Sequence, residues 1–191
     1  LHFQGSGRTD AGVHASGQVA HVDVPPSGTM GPAQWQAALN AHLPETIRIM
    51  ASVVAPEGFH AQYSAVTKTY RYRIAHRPVL PPQLAGRAWH IWGDLDADLL
   101  REAASALTGS HDFRRFSASR GTDRDGRNQD PADTTRTVHS IEISGSPEID
   151  LRFTGDGFLY KMDRMLTAAI VRCAQGRMSL QEVGDHLAGP D

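Results

Sequence analysis

Two stretches of strict alternation constrain the fold of this chain more than anything else in it. Lys68, Tyr70, Tyr72 and Ile74 fall on one side of the first stretch, and Thr69, Arg71 and Arg73 fall on the other. In the second, Ile149, Leu151 and Phe153 alternate with Asp150, Arg152 and Thr154. A period of two is the mark of a strand with one face toward a core. Strands are therefore expected from about Ser64 to Ile74 and from Glu148 to Thr154. Shorter strand signals lie at Gln18–Val24, at Ile47, Ile49, Ala51 and Val53, at Trp89 and Ile91, and from Thr137 to Ser144.

Helical spacing fills the intervals. Pro32 suits the first position of a helix bearing Trp35, Leu39, His42 and Leu43, which Pro44 ends. Asp96 opens a second helix with Leu99, Leu100, Ala103, Ala104 and Leu107, and Gly109 closes it. Gly155-Asp156-Gly157 turns the chain into a third, bearing Leu159, Met162, Leu166, Ala169, Ile170 and Cys173 and stopped by Gly176. Ser179 with Glu182 three residues on is a capping box for a last helix that closes at Gly189-Pro190. Ser119 to Thr134 is polar and reads as a long surface loop. Three prolines between Arg77 and Gly86 read as a linker. The chain thus divides into residues 1–78 and 79–191, and both parts repeat an α+β grammar.

Composition narrows the class. With 40% hydrophobic residues in 191, the chain can build a substantial core. No apolar run approaches the roughly 20 residues of a membrane span. Cys173, the single cysteine, excludes an internal disulfide and fits a reducing compartment. Its apolar neighbours at helical spacing mark it as a buried small side chain rather than a reactive thiol. A formal charge of −2 gives no overall attraction to nucleic acid, so an RNA partner requires a local basic surface. Lys68, Arg71, Arg73 and Arg77 form one basic run, and Arg114, Arg115 and Arg120 another. Either reads equally well as a solvated face.

The chemistry points to the string Gly7-Arg8-Thr9-Asp10-Ala11-Gly12-Val13-His14-Ala15. Asp10 lies two residues from Arg8 and two from Gly12, at the mouth of a strand, where a backbone can approach a ligand closely. An aspartate beside a glycine is most often only a turn residue. Here the whole string resembles the active-site loop of the TruA-type tRNA pseudouridine synthases. Three further blocks follow in that family's order. Phe59-His60-Ala61 through Lys68-Thr69-Tyr70-Arg71-Tyr72-Arg73-Ile74 resembles its tyrosine-bearing strand. Gly109-Ser110-His111-Asp112-Phe113 resembles its post-helix turn. Gly155-Asp156-Gly157-Phe158-Leu159-Tyr160-Lys161-Met162-Asp163-Arg164 resembles its arginine-bearing helix entry.

The resemblance implies an α+β fold of two similar halves sharing a central, largely antiparallel sheet flanked by helices, with a basic cleft between them. It implies a cytoplasmic homodimer that grips one tRNA, with no cofactor, metal or membrane. Its targets would be uridines of the anticodon stem-loop at about positions 38 to 40, extruded from the stem before reaction. Asp10 takes the central role, by nucleophilic attack, by stabilising charge on the sugar, or by taking a sugar proton. Arg164 is the cation that keeps such a carboxylate ionised and oriented. Tyr70 stacks on the uracil. Arg8 assists extrusion.

The family's usual Met-Val-Arg-Asn reads Met162-Asp163-Arg164-Met165 here, which puts an extra acid beside the arginine. Leu1-His2-Phe3-Gln4-Gly5 reads either as a residue of a cleavable tag or as part of the family's first strand. At Pro190-Asp191 the family pattern would continue into one more strand. Among rival classes, a non-catalytic RNA-binding domain has no need of Asp10. A hydrolytic glycosidase normally wants a second positioned carboxylate. His111-Asp112 is too short a pair to stand for a metal-dependent phosphohydrolase, and neither a phosphate-binding glycine loop nor a zinc framework is present.

Overall fold

Alternation is decisive where it finds partners. A computed structural model describes residues 1–25, 27–122 and 130–188. The chain gathers into two units, Leu1–Ala65 and Val66–Asp191.

The second unit is built on a five-stranded sheet. Its strands are β3 (Lys68–His76), β4 (Trp89–Ile91), β5 (Gly109–Asp112), β6 (Thr135–Ser144) and β7 (Glu148–Gly155), in the order β4-β3-β7-β6-β5. The pairings β3–β7, β7–β6 and β6–β5 are antiparallel, and only β3–β4 is parallel. Helices α2 (Ala97–Ala106), α3 (Met162–Ala174) and α4 (Leu180–Leu187), with Phe113, Phe116 and Leu159 from connecting segments, supply the rest of one core. Ile74, Leu151, Phe153 and Val138 from the sheet and Leu107, Met162, Leu166, Ile170 and Val183 from the helical segments are fully buried there. The α+β class read from the sequence is the class observed. Burial follows the expected alternation, with Leu151 and Phe153 inward and Arg152 exposed between them.

Helix ends follow their signals. The Asp96 carboxylate accepts from the amides of Asp98 and Leu99 at 2.8 and 3.0 Å, as an N-cap does. Ser179 and Glu182 form the capping box. The third helix starts later than its glycines suggest. Gly155-Asp156-Gly157 opens a connecting segment, and α3 begins at Met162 after Lys161, whose φ of 58° is left-handed. The expected post-helix turn at Gly109–Phe113 is instead the short strand β5, with Gly109 opposite Val138. Cys173 is buried, and burial pushes its thiol up, in keeping with a packing role. Gly189-Pro190 and residues 123–129 of the expected Ser119–Thr134 loop lie outside the described residues.

The first unit holds the hairpin β1 (Phe3–Gly5) with β2 (Ala20–Val22), antiparallel, and the helix α1 (Pro32–His42). Phe3 faces Val22, so Leu1–Gly5 contributes a strand rather than a loose lead. The strand expected over Ile47–Val53 does not form. Side chains of α1 take the backbone groups a neighbouring strand would use: Asn40 accepts from the Ile49 amide at 2.8 Å, and Gln36 and Asn40 donate to the Ile49 carbonyl at 3.1 and 3.0 Å. Alternation without a pairing edge leaves Ile47, Met50 and Val53 exposed. The Phe59-His60-Ala61 block is anchored to β2, because the buried Ala61 amide donates to His21 Nδ1 at 3.1 Å.

Candidate active site

The hairpin β1–β2 holds the Asp10 loop by its ends. Ser6 N donates to the Val19 carbonyl at 2.8 Å, and Gln18 Nε2 donates to the Gly7 carbonyl at 2.6 Å. Inside the loop, Val13 N donates to the Asp10 carbonyl at 3.1 Å, closing a four-residue turn. Gly12, third in that turn, has φ +81°. A type II turn requires a positive φ at this position, which glycine supplies without strain. Open space surrounds the place a Cβ would take on Gly12, so the requirement is one of backbone conformation and not of crowding. The turn presents Asp10 from its first position, exposed, and Arg8 is exposed two residues earlier. Both charges of the string therefore sit on one pinned loop of the first unit.

Tyr70 and Arg164 belong to the second unit. The strand carrying Tyr70, read by sequence as part of the first half, is paired along its length with β7. Tyr70 is half-buried opposite Phe153, and its ring meets Phe158 edge-on with centroids 4.9 Å apart and planes at 74°. Phe158 comes from the segment joining β7 to α3, which ends in Lys161. Three residues past Lys161, in the first turn of α3, stands the exposed Arg164. One connecting segment thus links the ring that buttresses Tyr70 to the helix turn bearing Arg164.

Nearby carboxylates have structural work. Asp156 ties the connecting segment to β6, donating its amide to the Thr137 carbonyl at 3.1 Å and accepting the Thr137 amide at 3.0 Å. Asp112, of the His111-Asp112 pair, accepts from the Thr134 hydroxyl and from the Arg114 amide at 2.9 Å. The Thr134 hydrogen bond, then that amide, holds its carboxyl below the usual range. Among the described residues no three His, Cys, Asp or Glu side chains gather as a metal ligand set.

The basic run on β3 is largely paired. Arg73 meets Asp150 at 3.1 Å and Arg71 meets it at 3.9 Å, while Arg77 pairs with Glu148. The second run differs. Arg115 donates to the Asp185 carbonyl at 3.2 Å, and Arg120 lies 6.0 Å from the centre of the Tyr160 ring.

A family model described as tRNA pseudouridine synthase matches residues 1–64 and 103–191. The tRNA pseudouridine synthase A of Akkermansia muciniphila is 43% identical over 189 residues, covering 98% of this chain and 71% of that protein. The chain belongs to the tRNA pseudouridine synthase family. Proteins with the same name from Syntrophotalea carbinolica and Bacillus pumilus are 40% and 38% identical, each over 187 residues and 96% of this chain, and over 69% and 70% of their own lengths. The stretches matched by the synthase family model hold Arg8, Asp10 and Arg164, and Tyr70 falls between them. Sequence reasoning missed Phe158 as the ring against Tyr70, and it missed the grouping of Arg120 and Lys161 about Tyr160. The signal in the sequence is the Phe158-x-Tyr160-Lys161 spacing, which puts two aromatic rings and a cation on one short segment.

Proposed function

We propose that this synthase isomerises uridine to pseudouridine in the anticodon stem-loop of tRNA, at about positions 38 to 40, on extruded nucleotides. The reaction breaks the N1–C1′ bond, turns the uracil, and joins C5 to C1′; the C5 proton leaves and N1 regains one. Atoms balance with no redox change and no external co-reactant. Asp10 serves the sugar side of this exchange as nucleophile, charge stabiliser or proton acceptor. Arg164 orients that carboxylate and favours its ionised form. Tyr70 supports the detached uracil on a ring that Phe158 braces from the edge, and its hydroxyl serves removal of the C5 proton. Arg8 aids extrusion. The first unit supplies Arg8 and Asp10 and the second Tyr70 and Arg164, and the working species is a cytoplasmic homodimer.

The observation that carries the reading is the Asp10–Val13 turn, whose Gly12 conformation and pinned ends present one carboxylate on a fixed backbone. Such preorganisation is what bond chemistry at a sugar demands. The test is pseudouridine formation in anticodon-stem tRNA by wild type and by Asp10→Asn. Binding is retained in the variant while turnover falls by roughly 10²- to 10⁴-fold or more. Unchanged turnover in Asp10→Asn would sink the assignment.

A further inference from the structure

Two residues beyond Phe158, the same connecting segment brings Tyr160 to a cleft of about 480 Å³. Arg114, Arg120, Ser117, Ser119 and Asp130 line it as well. Its size falls within the roughly 300–1,000 Å³ common for small-ligand clefts. None of these side chains has a part in the uridine chemistry above.

Two cations are gathered at the Tyr160 ring. Arg120 lies 6.0 Å from the ring centre, and Lys161 Nζ lies 4.9 Å from it. Both are within the reach of a cation–π attraction. Lys161 is also the one non-glycine among the described residues with a positive φ, at 58°. An L-residue avoids this conformation unless its surroundings impose it, and such outliers gather at functional sites. The backbone around the ring is fixed in turn. Ala118 N donates to the Tyr160 carbonyl at 3.0 Å, joining the two walls of the cleft. Asp130 accepts from the Ser119 hydroxyl at 2.6 Å and from the Arg120 amide, so the acid in the lining braces the arginine's own backbone. Arg114 donates to Thr134 Oγ1 at 3.5 Å, on a residue buried beneath the cleft. Arg114 and Arg120 line the cleft with Asp130, Lys161 joins them at the Tyr160 ring, and Asp112, bonded to the Thr134 hydroxyl of the lining, is a second acid. Cations still exceed carboxylates here in a chain whose formal charge is −2.

We propose that this cleft is a nucleotide subsite for the tRNA backbone, which takes the phosphodiester of a nucleotide other than the target uridine. Arg120 and Lys161 contact the phosphate, and Tyr160 holds the two cations in place. Arg114, in the same lining, adds charge. A preset pair of cations loses less freedom on binding than two loose side chains. The proposal rests on tRNA being the substrate.

The test compares tRNA binding by wild type, Arg120→Gln, Lys161→Gln, their double variant, Lys161→Arg, Tyr160→Ala and Tyr160→Phe across a salt series. Thermal unfolding of each reports whether it folds. Losing a phosphate contact lessens the slope of log affinity against log salt by about 0.7–0.9. That reduction is expected in the double variant, with a higher KM for tRNA and kcat retained. Tyr160→Ala moves the same way. Lys161→Arg and Tyr160→Phe recover the affinity lost in Lys161→Gln and Tyr160→Ala. A folded double variant with wild-type slope and affinity overturns the subsite, as does a loss confined to kcat. Wild type that binds tRNA but forms no pseudouridine defeats the isomerase reading and leaves the subsite to be judged by its slopes. Wild type that forms pseudouridine alongside an unchanged slope in the double variant defeats the subsite alone, and wild type that does not bind tRNA defeats both.

Discussion

A methyl group on Gly155 would land 2.7 Å from the Thr137 carbonyl oxygen and 3.3 Å from the Phe158 ring. The oxygen belongs to β6 backbone and cannot step aside. Gly157, two residues on, would meet only the flexible Arg136 side chain at an ordinary 3.5 Å. Gly155→Ala is therefore expected to cost about 1–3 kcal/mol through overpacking and to disturb the ring that braces Tyr70. Gly157→Ala should cost much less. Urea unfolding midpoints of the two variants check this, and equal costs would show that close approach is not what Gly155 supplies. Sequence alone marks both glycines as turn residues and cannot rank them, because the deciding atom comes from another strand. Gly12 was legible for the opposite reason, since its demand is met within four consecutive residues. Phe158 and Lys161 were hidden in the same way as Gly155: one is defined by a ring on β3, the other by an imposed backbone angle.

Among elements, period-two strands were read well when they pair in the interior of the sheet. β3 as far as Tyr72 and β7 from Leu151 onward alternate in sequence and in burial because each strand is flanked by others and covered on one face by core residues. Ile47–Val53 has the same pattern and no ladder, since α1 side chains occupy the backbone of Ile49. β5 has no strand signal in the sequence because its four residues, Gly-Ser-His-Asp, carry no apolar alternation. What secures its far end is Asp112, which accepts from the Thr134 hydroxyl and the Arg114 amide and so joins β5 to the start of β6 and the following turn. These donors favour the ionised carboxyl and lower its folded value relative to the unfolded chain. The stabilisation is therefore complete above the usual carboxylate range near pH 4 and is lost as pH falls through the lower folded value. Asp130, Asp133 and Glu182 are depressed as well, so wild type should lose stability on acidification through several groups. Asp112→Asn isolates one of them. The difference in unfolding free energy between wild type and Asp112→Asn is expected to be constant at neutral pH and to shrink below about pH 4. A difference that does not change with pH would show that the Asp112 charge is not what secures β5.

For the whole molecule, the placing of charge matters more than its sum. The arginines of β3 alternate onto one face, which in sequence looks like an RNA-binding stripe. Across the strands, Arg71 and Arg73 meet Asp150, Arg77 meets Glu148, and Arg152 lies 3.9 Å from Glu142. These partners lie far apart in the chain, Arg73 and Asp150 by 77 residues and Arg71 and Asp150 by still more, so no local reading reveals that the stripe is neutralised. Surface pairs such as these, partly exposed, contribute little stability, about 0–1 kcal/mol. Their larger effect is on the surface potential, which steers a polyanion. Arg71→Ala is accordingly expected to leave tRNA affinity and its salt slope as in wild type. Asp150→Asn does the reverse: it leaves Arg71 and Arg73 without their shared acid and creates a positive face. Non-specific RNA should then bind more tightly at low salt, with a slope steeper by about 0.7–0.9 for each phosphate newly engaged. Fluorescence titration of a single-stranded RNA unrelated to tRNA, repeated over several salt concentrations, reads this directly. If Asp150→Asn binds that RNA no better than wild type, the acids of β7 do not shield the face, and the neutrality of the sheet has another origin.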